Sequence, residues 1–152
     1  MSTDRPRPPA SADPRTAQLA ELCAIMERLR DRERGCPWDL KQSLASLFPY
    51  LREELEEAAA VLPEVEAGKV DPAELREELG DLLFNVVFTA ELCRENGWFS
   101  MADVVAGAEA KIRRRHPHIF GSLTAKTPEE VERIWAAVKA EEKAEKARKR
   151  VK

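Results

Sequence analysis

Glu53-Glu54-Leu55-Glu56-Glu57 and Glu78-Leu79-Gly80-Asp81 are the residues of this chain best suited to chemistry. An α-helix advances about 100° per residue, so Glu54 and Glu57 project about 60° apart, as do Glu78 and Asp81. Each pair points from one face of its helix. Glu54 falls between Leu51 and Ala58 on the apolar stripe Leu51, Leu55, Ala58, Leu62, and Glu78 and Asp81 flank a second stripe, Leu75, Leu79, Leu82, Val86. Acids beside core stripes cost free energy unless something compensates them. Oxygen-rich clusters are what Mg²⁺ accepts, so the pattern reads as a metal site between two helices. In a chain that is 35% charged, the first cluster alone would fit a solvated helix face. The second cluster tips the balance. Asp81 and Asn85 continue the line from Glu78 at i+3 and i+7, within the nearly all-apolar run Leu82-Leu83-Phe84-Asn85-Val86-Val87-Phe88. Gly80 lies mid-helix, where it costs about 1 kcal/mol relative to Ala. Close approach of another backbone or of a ligand is the expected reason.

The elements that must carry these residues are helices. Asp13-Pro14 is an N-cap followed by a first-turn proline, opening a helix with apolar positions Leu19, Leu22, Ile25, Met26 and Leu29. Arg32 to Gln42, with Gly35-Cys36-Pro37-Trp38-Asp39, reads as a loop. Ser43 starts a helical stretch, and Pro49 either kinks it or begins the acidic helix that runs to Leu62. Asp71-Pro72-Ala73-Glu74 combines an N-cap, a first-turn proline and a capping-box acid. It opens the longest helix, expected to end near Asn96-Gly97. Ser100 caps the next, which Pro117 stops after Arg115. Thr127-Pro128-Glu129-Glu130 repeats the cap pattern before a last helix through Trp135. No stretch shows period-two alternation, so the expectation is an all-α, four-helix-bundle-like domain over residues 16–139. It is flanked by a disordered arm over 1–15, rich in Pro, Ser and Arg, and by a basic helical tail over 140–152 that frays or projects into solvent.

Size and composition narrow the classes. The 152 residues suit one domain with a real core, and a net charge of −3 gives no global field that would favour nucleic acid or a membrane surface. The run from Leu82 to Phe88 is far below the roughly 20 residues a spanning helix needs, and residues 1–13 hold no signal-peptide core. Cys23, Cys36 and Cys93 lack C-x-x-C spacing, reading as reduced thiols of a cytoplasmic protein. Lys111, Arg114 and Arg115 fall at i, i+3 and i+4, one helix face whose guanidinium forks match phosphate oxygens bidentately. The alternative is a basic helix end favoured by the macrodipole. Trp38 either stacks on a base or plugs the core beside Pro37, packing being the plainer reading. His116 and His118 are expected to structure the turn around Pro117.

These residues carry a resemblance. E-E-x-x-E followed by E-x-x-D, here Glu53, Glu54, Glu57, Glu78 and Asp81, is the hallmark of the all-α nucleoside triphosphate pyrophosphohydrolases. Gly35-Cys36-Pro37-Trp38-Asp39 with Gln42, Gly80-Asp81-Leu82-Leu83-Phe84 with Val86-Val87-Phe88, and Arg114-Arg115-His116-Pro117-His118 with Phe120 resemble the MazG family specifically, over roughly residues 19–146. The resemblance implies Mg²⁺-dependent cleavage of nucleoside triphosphates to monophosphate and pyrophosphate, with Mn²⁺ as an expected substitute, in the service of clearing non-standard nucleotides. Carried over by position, Glu54, Glu57, Glu78 and Asp81 would be the metal ligands, and Glu53 would orient or deprotonate the attacking water. Lys111, Arg114, Arg115, Asn85 and Trp38 would meet the substrate. It also implies a homodimer or tetramer, with Leu83, Val87 and Phe88 read as a second apolar face. This chain departs from the family after Gln42, with Ser43-Leu44 for the usual Thr-His, and between the last two acids of the first motif, with Leu55-Glu56 where an aromatic is common. Some members hold two such domains; this sequence holds one copy. A narrow dUTP- or modified-nucleotide-specific enzyme stays open, as does a non-catalytic helical interaction module. A di-iron bundle is disfavoured, because Arg113 and Arg115 stand three residues before His116 and His118, where Glu-x-x-His pairs need an acid.

Overall fold

The computed structural model describes residues 13–150. Among them are seven helices and no strand: α1 (Pro14–Leu29), α2 (Pro37–Lys41), α3 (Leu44–Glu66), α4 (Pro72–Glu95), α5 (Met101–Arg115), α6 (Pro117–Phe120) and α7 (Pro128–Arg150). The chain divides into two compact units at Met101 and Ala102. Most of the expected arm lies outside the described residues. Asp13 caps α1 by accepting from the Arg15 backbone N–H, and the helix starts at Pro14.

Local chemistry sets the helix ends. Ser43 and Ser46 form a reciprocal capping box at the start of α3, each side chain bonding the other's backbone N–H. Gly68 and Gly97 follow the C-caps of α3 and α4 with φ of 67° and 71°. At each end the 6→1 and 5→2 bonds of a Schellman motif close the helix: Lys69 N–H to Glu64 and Gly68 N–H to Val65, then Trp98 N–H to Cys93 and Gly97 N–H to Arg94. Pro49 does not begin a new helix. It sits inside α3, as does Pro63, and the helix continues past Leu62 to Glu66. The segment read as a loop contains α2, started by Pro37 in the first turn.

The first unit packs α1, α3 and α4 around Met26, Leu47, Val87, Phe88 and Leu92, with Leu19, Leu22, Cys23, Leu29, Leu44, Phe84 and Met101 against them. Val87 and Phe88 are therefore core residues and form no second apolar face. The buried face of α3 runs through Leu47, Leu51, Glu54, Ala58, Val61 and Val65, at steps of four and three. That is a coiled-coil-like seam. Leu55 and Leu62, expected inside, are 54% and 43% exposed. The matching line on α4 is Leu75, Glu78, Leu82, Asn85, Thr89 and Leu92, while Leu79 lies outside. Acids occupy seam positions where leucines would ordinarily stand.

In the second unit, Thr127 and Glu130 form the expected capping box of α7. The helix then continues past Trp135 to Arg150. Its tail is built from strong helix formers, and an i,i+4 pair joins Glu145 to Lys149 at 2.7 Å. Glu142 bridges back to α5, accepting from Arg114 at 2.6 Å and Arg115 at 2.8 Å. Glu142 is half-buried at this anchor, and residues 143–150 beyond it are exposed.

Candidate metal centre

The two acid helices are complementary. Glu54 feels Asp81 and Glu78, and Glu78 feels Glu57 and Asp81, as an antiparallel seam requires when it sets 54 against 81 and 57 against 78. One carboxylate oxygen from each of Glu54, Glu78 and Asp81 falls within 4.8 Å of the others. Glu57 stands beside Glu78 at the edge of this group. Burial comes first and the neighbouring carboxylates second in pushing the Glu54 carboxyl up from its ordinary range. Burial and then Glu57 do the same to Glu78. Proximate like charges raise a carboxyl in this way because ionising both is costly. A divalent cation removes that cost, and hard oxygen donors from two rigid helices suit Mg²⁺. The residues present fit the ion.

Around this centre the other sequence candidates fall into distinct settings. Glu53 is exposed beside Glu54 and within reach of its charge. Asn85 is buried in the seam, its amide donating to the Asp81 carbonyl at 3.0 Å, so it braces the turn that presents Asp81. Gly80 is exposed, and a Cβ added there would meet nothing within 4 Å among the described residues. The close approach expected of it is not made among the described residues. Trp38 does not plug the core. It is 51% exposed and lies edge-to-face on Tyr50, with centroids 5.8 Å apart. Tyr50 went unnoticed in the sequence, although it precedes Glu54 by four residues and so shares its helix face.

Lys111, Arg114 and Arg115 lie in the second unit. Glu142, another residue the sequence did not flag, draws Arg114 and Arg115 together, because α7 passes their helix end 27 residues later and no spacing rule reaches that far. The two guanidiniums hold the Glu142 carboxyl down to about 2. His116 and His118 do structure the turn. His116 Nδ1 lies 2.7 Å from the Ile112 carbonyl, and its ring packs 5.4 Å from His118 and 5.3 Å from Trp135.

An all-α protein with paired acid helices shaped for a divalent cation is the class that this fold and site define. The model of the MazG nucleotide pyrophosphohydrolase domain matches residues 42–120, and the chain belongs to that family. It is 45% identical over 130 residues to the nucleoside triphosphate pyrophosphohydrolase of Escherichia coli (strain K12), covering 86% of this chain and 48% of that protein. It is 44% identical over 131 residues to the nucleoside triphosphate pyrophosphohydrolase/pyrophosphatase MazG of Thermotoga maritima, again covering 86% and 48%. The chain thus spans about half the length of these curated relatives. The crystal structure of a MazG-related protein from Thermotoga maritima superposes with a TM-score of 0.64 and 30% identity, covering 80% of this chain and 98% of that one.

Proposed function

We propose that this chain hydrolyses nucleoside triphosphates to monophosphate and pyrophosphate with Mg²⁺, Mn²⁺ serving as a substitute, and so removes non-standard nucleotides in the cytoplasm. The observation that carries the reading is the convergence of Glu54, Glu78 and Asp81 within 4.8 Å from two helices, with Glu54 and Glu78 at seam positions where apolar residues would be more stable. The names of the family and its relatives support the same activity. Bound there, Mg²⁺ offsets the negative charge of the triphosphate and polarises its phosphoryl oxygens. Glu54, Glu78 and Asp81 hold the ion, with Glu57 completing the set from the next turn of α3. Glu53 stays outside the ligand set and takes the proton of the attacking water. Asn85 keeps the Asp81 turn in register. On the second unit, Lys111, Arg114 and Arg115 are the phosphate-binding candidates of this reading, and Arg114 and Arg115 would have to release Glu142 to take a phosphate. The active assembly is a homodimer, supported by the exposed apolar line Phe48, Leu55 and Leu62 on α3 and by Leu79 and Leu83 on α4.

A panel of triphosphates, with products resolved as monophosphate plus pyrophosphate or diphosphate plus phosphate, tests this directly. The first pair of products, only with divalent metal, is expected. Diphosphate plus phosphate, or no turnover of any triphosphate, would sink it. The rival reading, a non-catalytic interaction module, rests on the exposed apolar residues. It is separated by the melting temperature: Mg²⁺ should raise it by binding only the folded state, whereas a decorative acid face responds only to ionic strength.

A further inference from the structure

The net charge of −3 hides a division within the chain. Residues 102–152 hold 13 Lys and Arg against 8 Asp and Glu, a net +5, while residues 1–101 hold 12 against 20, a net −8. Within the second unit the excess is not spread evenly. Lys139, Lys143, Lys146 and Arg150 follow one another at i, i+4, i+7 and i+11 along α7, which places them inside an arc of about 60°. All four are exposed. With Arg115 from the end of α5, Glu142 and Ala147, they line an open groove of about 370 Å³.

The acids of the tail do not cancel this stripe. Glu142 borders it but is held by Arg114 at 2.6 Å and Arg115 at 2.8 Å, two cations to one anion. Glu145 pairs with Lys149 at 2.7 Å, and both Glu141 and Glu145 lie on the opposite side of the helix, about 200–240° around from Lys139. Among the described residues none of Lys139, Lys143, Lys146 and Arg150 makes an ion pair, and Lys139 stands 6.0 Å over the Trp135 ring. Like charges one turn apart repel along a helix, a repulsion that an outside polyanion relieves.

We propose that this face of α7 docks on the phosphate backbone of a nucleic-acid duplex without reading its sequence. The stripe is about 16 Å long at 1.5 Å per residue, the rise of about five base pairs. A duplex presents one negative charge per about 1.7 Å of axis, so phosphates lie within reach all along the row. Residues 136–150 contain only Ala, Val, Glu, Lys and Arg. They offer no aromatic ring for the stacking that holds single strands, and no Asn, Gln, Ser or Thr for base edges. What is left is the salt-sensitive contact of Lys and Arg with phosphate. The same composition disfavours a lipid surface. A helix lying in a membrane interface buries an apolar face, and beyond Val138 α7 has only alanines to bury. Lys143, Lys146 and Arg150 take no part in the proposed hydrolysis, which can hold or fail without bearing on this face.

Fluorescence anisotropy of short labelled duplexes, DNA and RNA in two unrelated sequences each, tests this with the full chain between about 50 and 200 mM NaCl, Mg²⁺ held constant. Each neutralised phosphate adds about −0.9 to the slope of log affinity against log salt on B-DNA. Four contacts predict a slope of about −3.6 and a loss of about a hundredfold over that range. The triple variant Lys143→Ala, Lys146→Ala, Arg150→Ala should bind at least about tenfold more weakly at the lowest salt, with a DNA slope of about −1. Its triphosphate turnover should match the wild type. Alanine is the best helix former, so α7 stays intact in this variant. Binding of neither duplex at the lowest salt, or an unchanged slope in the triple variant, would remove α7 from nucleic-acid contact. A preference above about tenfold for one sequence, the mark of a direct base contact, would overturn backbone recognition. Binding of phosphatidylserine vesicles in place of duplexes would assign the stripe to a membrane surface. A changed oligomeric state of the triple variant, by light scattering, would assign it to a second copy, and lowered turnover to the substrate site; each of these overturns the proposal. The DNA and RNA arms separate the two sources of the backbone, and binding of either with this salt dependence supports it.

Discussion

Glu54 and Glu78 are acids in leucine positions, and their substitution separates stability from chemistry. Both carboxyls are raised by burial and by each other's neighbourhood, so ionised together they strain the metal-free seam. Glu54→Gln and Asp81→Asn should each abolish hydrolysis while leaving the metal-free protein as stable as the parent or more so, read by thermal melting in EDTA. Destabilisation in EDTA would instead make the acids structural. Glu53 should part company with them. It lies outside the close oxygen cluster, so Glu53→Gln should cut turnover at least a hundredfold, in line with general-base contributions of about 10²–10⁴. Its Mg²⁺ affinity, by titration calorimetry, should hardly move. A loss of affinity matching that of Glu57→Gln would reassign Glu53 as a ligand.

Among the elements, α7 makes a pH prediction. The folded pKa of Glu142 is about 2, below an ordinary value of 4.5, chiefly through hydrogen bonds from Arg115 and Arg114. A depressed carboxyl contributes stability that is complete above its unfolded pKa and lost as pH falls through the folded one. Wild type and Glu142→Gln should therefore differ in melting temperature by a constant amount above pH 5, and the difference should close between about 4.5 and 2. A gap that persists at pH 2 would mean the carboxylate is not the source. Within α4, Gly80 meets open space on its outer side. Gly80→Ala should stabilise the helix by about 0.5–1 kcal/mol, measured by urea unfolding. If activity falls while stability rises, the small residue serves a second copy or the ligand.

For the whole molecule, exposed apolar side chains decide what to expect of assembly. Phe48, Leu55 and Leu62 repeat every seven residues along α3, and Leu79 and Leu83 stand one turn apart on α4. Each fully buried side chain of this kind contributes about 1.5–3 kcal/mol. A homodimer at micromolar concentration is the expected outcome of light scattering, and Leu55→Glu with Leu83→Glu should dissociate it. A fully active monomer would refute this arrangement.

Helix identity, most caps and the pairing of acids on each helix were legible without tertiary information, because they depend on neighbours within four residues. Asp13, Asp71 and Thr127 cap where local chemistry says they should, and Glu54 with Glu57 and Glu78 with Asp81 share faces by the helical period alone. Which face turns inward was not legible. Leu55 and Glu54 differ by one position, both adjacent to Leu51 and Ala58, and periodicity fits either stripe. Only packing against α4 put Glu54 in the seam and Leu55 outside, because α4 offers Glu78, Leu82 and Asn85 on its matching line. The same limit hid the Glu142 bridge and the packing of Trp38 on Tyr50. Each joins residues far apart in sequence, and no local rule gives the distance between elements that tertiary folding brings together.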